Sequence, residues 1–525
     1  MAKKNTKQKS IEESLWDAAN KLRGKVESSE YKHVVLGLIF LKFTSDKFEK
    51  RKQELITEGK EKYVDMVEFY TMNNVFFLAP ESRWSYIMEN AKQDDIAIKI
   101  DTALFTVEKN NPSLKGALPD NYFSRLNMDA SKLSALLDTV NNIDTIADNE
   151  EDIVGRVYEY FLGKFAASEG KGGGEFYTPK SVVKLITEML EPYKGKIYDP
   201  ACGSGGMFVQ SIKFIESHNG NKKDISIYGQ EYTATTYKLA KMNLAIRGIN
   251  ANLGDVPADT FFKDQHPDLK ADFIMANPPF NQKGWRAENE LTDDPRWRGY
   301  DVPPTGNANY AWILNMISKL SENGTAGFVL ANGSMSSNTS GEGELRKKFI
   351  ENDLVDCMIA LPGQLFYTTQ IPVCLWFMTK NKKGGSATGS NFRNREGETL
   401  FIDARNMGTM LDRTHKELTD DDIAEITNTY HNWRNKPVTS SDSEQSEELY
   451  RDVAGYCKSA TLEDIKKNDY VLTPGRYVGI AAEEDDGIPF EEKMTELSQT
   501  LFAQMNEATE LDKSIRENLK VLGYE

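Results

Sequence analysis

Asn277, Pro278, Pro279 and Phe280 close the run IMANPPF, which continues from DLKADF and leads into NQKGW. FIMA has the composition of a short strand buried on both faces. Two prolines then remove two backbone donors and fix two φ angles, so a sheet must end there. The product is a stiff corner presenting an amide and an aromatic ring at a strand's C-terminal edge. In open α/β sheets that edge is where ligands sit. Read alone, this stretch is better explained as an ordinary strand-ending turn.

A second group stands upstream. YDPACGSGGMF places Asp199 at the end of a strand, with Gly203, Gly205 and Gly206 in the turn before a helix. Glycines let backbone approach a ligand closely. The dinucleotide fingerprint is incomplete, because Phe208 stands where its third glycine belongs. A phosphate loop is excluded by the missing Lys-Ser/Thr pair. An acid ahead of the glycines suits a ligand with a cationic amine. Glu231, at the end of the strand signal ISIYGQE, would accept hydrogen bonds from ribose hydroxyls. Adenosine with an amino-acid tail is S-adenosylmethionine.

Something must hold these groups together. From Gly170 the chain alternates strand signals (KIYDP, ISIYGQE, FIMANPPF, GTAGFVLANG, LVDCMIALP, PVCLWFMTK) with amphipathic helices. That alternation predicts a parallel or mostly parallel sheet with helices on both faces. Residues 1–150 read as a helical docking domain. SIEESLWDAANKLRGKV has Ser10 as its cap, and SEYKHVVLGLIFLKF, MDASKLSALLDTVNNI and EDIVGRVYEYFLGKFA follow. Residues 151–435 form the catalytic domain, and 436–525 a linker and C-terminal helical region for assembly. Apolar residues from Phe490 through Met494, Leu497, Leu501 and Met505 to Leu522 recur every three or four positions. Such a stripe needs cover, either from this chain or from a partner helix.

The bulk properties bound the reading. The 525 residues carry a net charge of −16, with 39% hydrophobic and 27% charged residues. Mean hydropathy of −0.55 argues against a membrane protein. The acidic balance opposes unaided grip on duplex DNA, which needs a basic face. MAKKNTKQKS is basic but has no apolar segment behind it, so it is not read as a secretory signal. Four scattered cysteines (Cys202, Cys357, Cys374, Cys457) fit reduced thiols in a cytoplasmic protein and offer no metal site. The five histidines read as structural or surface residues. Trp285, Arg286, Arg296, Trp297 and Arg298 share one loop and could touch a displaced strand; an ordinary insertion is as good a reading.

Taken in order, GGGEFYTPKSVV, DPACGSGGMF, MNLAIRGI, ANPPFN, LPGQLFYTTQIPVCLWF and YVLTPGRYVG resemble the methylation subunit of type I restriction–modification systems. Those subunits fall in the gamma group of DNA adenine-N6 methyltransferases. The resemblance implies a Rossmann-like methyltransferase sheet between a helical N-terminal domain and a C-terminal helical tail. It implies cofactor contacts at Glu175, Phe176, Tyr177, Thr178, Pro179 and Lys180, at Asp199, Gly203, Ser204, Gly205 and Gly206, and at Glu231. The acid on the cofactor's adenine falls on Asp259, with Asp255 as rival. Asn277, Pro278, Pro279 and Phe280 become the catalytic motif: acceptors for the adenine amine, and a ring for a base flipped from the duplex. Phe366 or Tyr367 would supply the second face of the base sandwich, or else belong to the core. The implied partners are DNA, one specificity subunit per two methylation subunits, and a restriction-translocase subunit for restriction. Methylation of a protein glutamine amide or of RNA is the competing reading.

Overall fold

The structure is a computed structural model. It describes residues 11–20, 28–126, 128–143, 160–161, 178–366, 371–384, 392–413, 415–436, 450–480 and 490–524. The chain forms two compact units, Met1–Gly479 and Ile480–Glu525.

The first unit begins with helices, among them α1 (Ile11–Asn20), α2 (Ser28–Thr57), α3 (Ile96–Asn110) and α4 (Ala130–Asn141). The cap expected at Ser10, and most of EDIVGRVYEYFLGKFA, lie outside the described residues. Val34 through Leu41 of α2 are buried together with Ile100 and Leu104 of α3 and Leu133 and Leu137 of α4. The apolar run of α2 is thus the centre of a helical core.

A nine-stranded sheet occupies the rest of the unit. Its strands are β1 (Gly195–Asp199), β2 (Ile225–Gly229), β3 (Ala251–Asn252), β4 (Ala271–Ala276), β5 (Leu320–Ala331), β6 (Val355–Ala360), β7 (Val373–Thr379), β8 (Glu398–Asp403) and β9 (Cys457–Thr461). The spatial order is β3-β2-β1-β4-β5-β7-β6-β8-β9. All pairings are parallel except those of β7 with β5 and β6, and of β9 with β8. The expectation of a mostly parallel sheet therefore holds, with one antiparallel strand inserted near its middle. Strand β9 lies beyond residue 435, where the sequence reading ends the catalytic domain.

The apolar runs of β6 and β7 are explained by cover on both faces. Cys357, Ile359, Val373, Leu375 and Phe377 enter one core, while Met358, Cys374, Trp376 and Met378 enter the other. The period of two is that of a strand. Helices α5 (Lys180–Leu190), α6 (Gly206–Ser217) and α9 (Asp420–Arg434) cover the first face, and α8 (Asn309–Lys319) the second. Helix α7 (Ala234–Ile246) serves two cores. Tyr237, Ala240 and Leu244 pack against the sheet, while Leu239, Met242 and Ile246 belong to the core of the N-terminal helices.

The chain runs from β1 outward to β2 and β3, then returns to β4 on the other side of β1. That reversal opens a crevice at the C-terminal ends of β1 and β4. Tyr198 is in register with Ile274, so Asp199 stands level with Met275, and Asn277 lies just past the sheet.

Candidate functional site

The crevice is built from the strand ends. Asp199 is the last residue of β1 and only 2% exposed. Its Oδ1 accepts the Ala201 N–H at 2.9 Å, which turns the chain back over the strand. Burial, helped by the nearby Glu231 carboxylate, pushes Asp199 up to about 8. A buried acid that resists ionisation is a natural partner for a cation, whose arrival would favour the charged form.

Gly203 and Gly205 have φ of +53° and +81°, which glycine adopts without strain. A Cβ at Gly203 or Gly206 would meet nothing within 4 Å, so open space lies above this turn. The Gly203 N–H donates to Glu231 Oε2 at 3.1 Å, and the Thr233 N–H to Glu231 Oε1 at 2.7 Å. Glu231 thereby joins the β1 turn to the end of β2, and the Ala258 N–H donates to the Glu231 carbonyl at 2.9 Å. Asp259 follows directly, its Oδ1 accepting from Phe261 N–H at 2.7 Å. Asp255 is exposed, and its N–H donates to the Gln265 side chain at 2.9 Å. The fold brings Asp199, the glycines, Glu231 and Asp259 into one crevice wall.

Sequence reasoning missed a residue behind this wall. Asn243 on α7 is 2% exposed, and its Nδ2 donates to the Ser204 carbonyl at 2.7 Å. An asparagine set among Leu239, Met242, Leu244 and Ile246 was the available signal, since a buried amide needs a partner.

The opposite wall carries the Asn-Pro-Pro-Phe corner. Asn277 Nδ2 donates to Thr178 Oγ1 at 2.9 Å, just ahead of α5. This bond fixes the amide plane and leaves Oδ1 buried with no partner. A buried acceptor left unmet is costly unless a ligand meets it. The Phe280 ring meets Phe366 at 5.8 Å between centroids and 73° between planes. A sandwich needs two roughly parallel faces; Phe366, 2% exposed, instead braces Phe280 edge-on. The core alternative for Phe366 is therefore the one realised. Pro179 caps α5 and Lys180 begins it. Tyr367 and Glu175, Phe176 and Tyr177 lie outside the described residues.

Burial decides between the two readings of the tryptophan–arginine loop. Trp285 and Trp297 are 5% and 2% exposed, packed around Phe261. Arg286 Nη2 donates to the Pro303 carbonyl at 2.7 Å, and Arg296 Nη1 to the Thr260 carbonyl at 2.9 Å. These arginines staple the loop to the body. Arg298 alone of the five is exposed.

The family profile described as N-6 DNA Methylase matches residues 149–486, and that of the HsdM N-terminal domain matches residues 11–142. A type I restriction enzyme HindI methylase subunit from Haemophilus influenzae is 51% identical over 441 residues, covering 83% of this chain and 94% of its own length. This chain belongs to the N-6 DNA methylases. A second relative, the MjaIX methylase subunit from Methanocaldococcus jannaschii, is 41% identical across 98% of this chain and 92% of its own length. Among solved structures, a type I methyltransferase subunit from Streptococcus thermophilus has the same fold. Its TM-score is 0.71 at 24% identity, with 89% of this chain and 99% of that one covered. Among the described residues no helix is long and apolar enough to cross a membrane.

In this N-6 DNA methylase the open space at Gly203 can be tested. Gly203→Ala is expected to cost about 1 kcal/mol of stability, because an alanine must adopt the left-handed backbone. It should weaken ligand binding by more than that, because the added methyl enters the crevice. Thermal melts and ligand titration on one sample separate the two effects. Unchanged affinity would mean that the ligand lies elsewhere.

Proposed function

We propose that this chain transfers a methyl group from S-adenosylmethionine to the N6 amine of a flipped adenine in DNA, as the methylating subunit of a type I restriction–modification complex. The observation that carries the site assignment is the Asn277 amide: Nδ2 is held by Thr178, and Oδ1 is buried and unmet. The donor fits the crevice. Asp199 answers an ammonium group, the open side of Gly203 and Gly206 admits the amino-acid tail, and Glu231 answers ribose hydroxyls. Asp259, beside Glu231, is assigned to the cofactor's adenine. When bound, S-adenosylmethionine supplies an already activated methyl group.

The residues act on the other reactant. An exocyclic amine is a poor nucleophile because its lone pair is delocalised into the ring. Asn277 Oδ1 and the Pro278 carbonyl accept its two N–H bonds, which favours a pyramidal nitrogen and stabilises the positive charge that develops on it. Pro278 and Pro279 keep both acceptors in place without reorganisation. Phe280 supports the flipped ring, and the proton leaves to water. The rest is alignment of donor and acceptor.

The net charge of −16 calls for a partner to bring DNA to this site. A specificity subunit flanked by two methylating subunits fills that need, and a restriction-translocase subunit joins it for cleavage. In the second unit, α10 (Phe490–Val521) exposes Met494, Leu497, Leu501, Met505 and Leu511, and we assign this stripe to the specificity subunit. The test is methyl transfer from labelled S-adenosylmethionine to unmodified DNA, with and without the co-expressed specificity subunit. N6-methyladenine is expected only with the partner, and a Leu497→Glu/Leu501→Glu variant should lose assembly while keeping its fold. Label in protein or RNA, with none in DNA, would move the substrate to the competing reading.

A further inference from the structure

Resting on that reading, we propose that Asn309 is a positioning residue for methyl transfer, acting through Asn281. The Asn-Pro-Pro-Phe corner has a mechanical problem. Pro278 and Pro279 have no N–H to donate, so the backbone that carries the amine acceptor and the ring cannot be held by sheet pairing. Something downstream must anchor it.

The structure supplies that anchor one residue after Phe280. Asn281 has φ of +52°, a left-handed conformation that asparagine tolerates better than most residues. Its backbone N–H donates to Asn309 Oδ1 at 2.9 Å, and its own Oδ1 accepts from Asn309 Nδ2 at 2.9 Å. The two asparagines close a ring of two hydrogen bonds. Asn309 is 1% exposed and opens α8, whose Ala311, Ile313 and Leu314 are wholly buried. Its own N–H donates to Asn307 Oδ1 at 3.0 Å, so the clamp is itself oriented. The flanking backbone is zipped in the same sense: Ala308 N–H donates to the Gln282 carbonyl at 2.9 Å, and Gly284 N–H to the Thr305 carbonyl at 3.0 Å. The corner is therefore referenced to the rigid second face of the sheet, with the buried Asn309 amide as the contact nearest Phe280.

Asn309 touches no reacting atom in this arrangement. It sets where Phe280 and the Pro278 carbonyl stand when the adenine arrives. A loosened corner should bind the donor normally and transfer the methyl slowly, because misplacement by about 1 Å costs on the order of 100-fold in rate.

The experiment uses the full complex with its specificity subunit and unmethylated DNA carrying the recognised site. It measures single-turnover methyl transfer and, separately, equilibrium binding of S-adenosylmethionine. Asn309→Ala is expected to lower the transfer rate by about 100-fold with donor affinity within about twofold of wild type. Asn309→Asp keeps the acceptor for the Asn281 N–H but loses the donor to Asn281 Oδ1, so it should recover part of the rate. Asn281→Gly suits the left-handed φ and keeps the backbone donor, so it should fall between them. A rate unchanged in Asn309→Ala would overturn the proposal. So would a rate that falls only in step with donor affinity or melting temperature, or an Asn309→Asp variant as slow as the alanine. A wild-type complex that methylates no adenine would instead overturn the reading of the site itself.

Discussion

Asn277→Ala is expected to reduce methyl transfer by about 100- to 1000-fold, the cost typical of removing one preorganised group aimed at developing charge. The substitution deletes the buried, unmet amide oxygen and leaves both prolines, so the backbone course is kept. It also removes the amide from which Thr178 Oγ1 accepts a hydrogen bond. Donor binding should change little, because Asp199, Gly203 and Glu231, proposed to hold the donor, lie on the other wall. The measurement is single-turnover transfer beside equilibrium donor binding. A comparable loss in donor affinity would show that Asn277 belongs to the donor site and not to the amine site.

Asp199→Asn should instead weaken donor binding and lower transfer in step at sub-saturating donor. A charge-assisted pair to the ammonium becomes a neutral contact, which weakens affinity by about 10- to 100-fold. The wild-type protein should also show a pH signature that the variant lacks. Burial holds Asp199 up to about 8, so below that pH the ligand-free protein keeps its proton. Pairing with the ammonium requires the carboxylate, so binding expels the proton. Donor affinity should therefore strengthen as pH rises toward 8, by up to about tenfold per unit, and weaken again above it as the ammonium loses its own proton. Stability of the ligand-free protein runs the other way. A raised folded pKa gives a contribution complete below the ordinary carboxylate value and lost as pH rises through about 8. Calorimetric binding between pH 6 and 8.5 in buffers of different ionisation enthalpy would count the proton. Binding with no proton release would remove Asp199 from the ammonium.

Much of this site was legible because its devices are local. Proline's missing donor, glycine's left-handed backbone and an acid at a strand end act within a few residues, so Asp199, Gly203, Glu231 and Asn277 could be read from spacing. The sheet's period and its two covers were legible for the same reason. What escaped reading is tertiary. Asn243 and Asn309 look like ordinary helix residues until another segment brings a carbonyl or an amide to them. The antiparallel course of β7 leaves no mark, because a strand buried on both faces has the same composition in either direction. ETLFID, which becomes β8, sits within polar sequence and gains its place in the sheet from β6 and β9. The Trp285–Arg298 loop stayed open between two readings because arginine and tryptophan that fasten a loop look like arginine and tryptophan that meet a nucleic acid.

Helix α7 gives the molecule an unusual inheritance. One stripe of it closes the core of the N-terminal helices, another closes the sheet, and Asn243 between them holds the Ser204 carbonyl. Lys238 and Lys241 add bonds to the carbonyls of Leu118 and Lys115. The N-terminal helices therefore cannot be traded between lineages like a detachable cassette. A graft that did not re-cover Leu239, Met242 and Ile246 would expose three side chains, each worth about 2 kcal/mol buried, and would shift the helix that steadies the donor turn. Two segments that look separable in the gene share one keystone, and selection on either must pass through it.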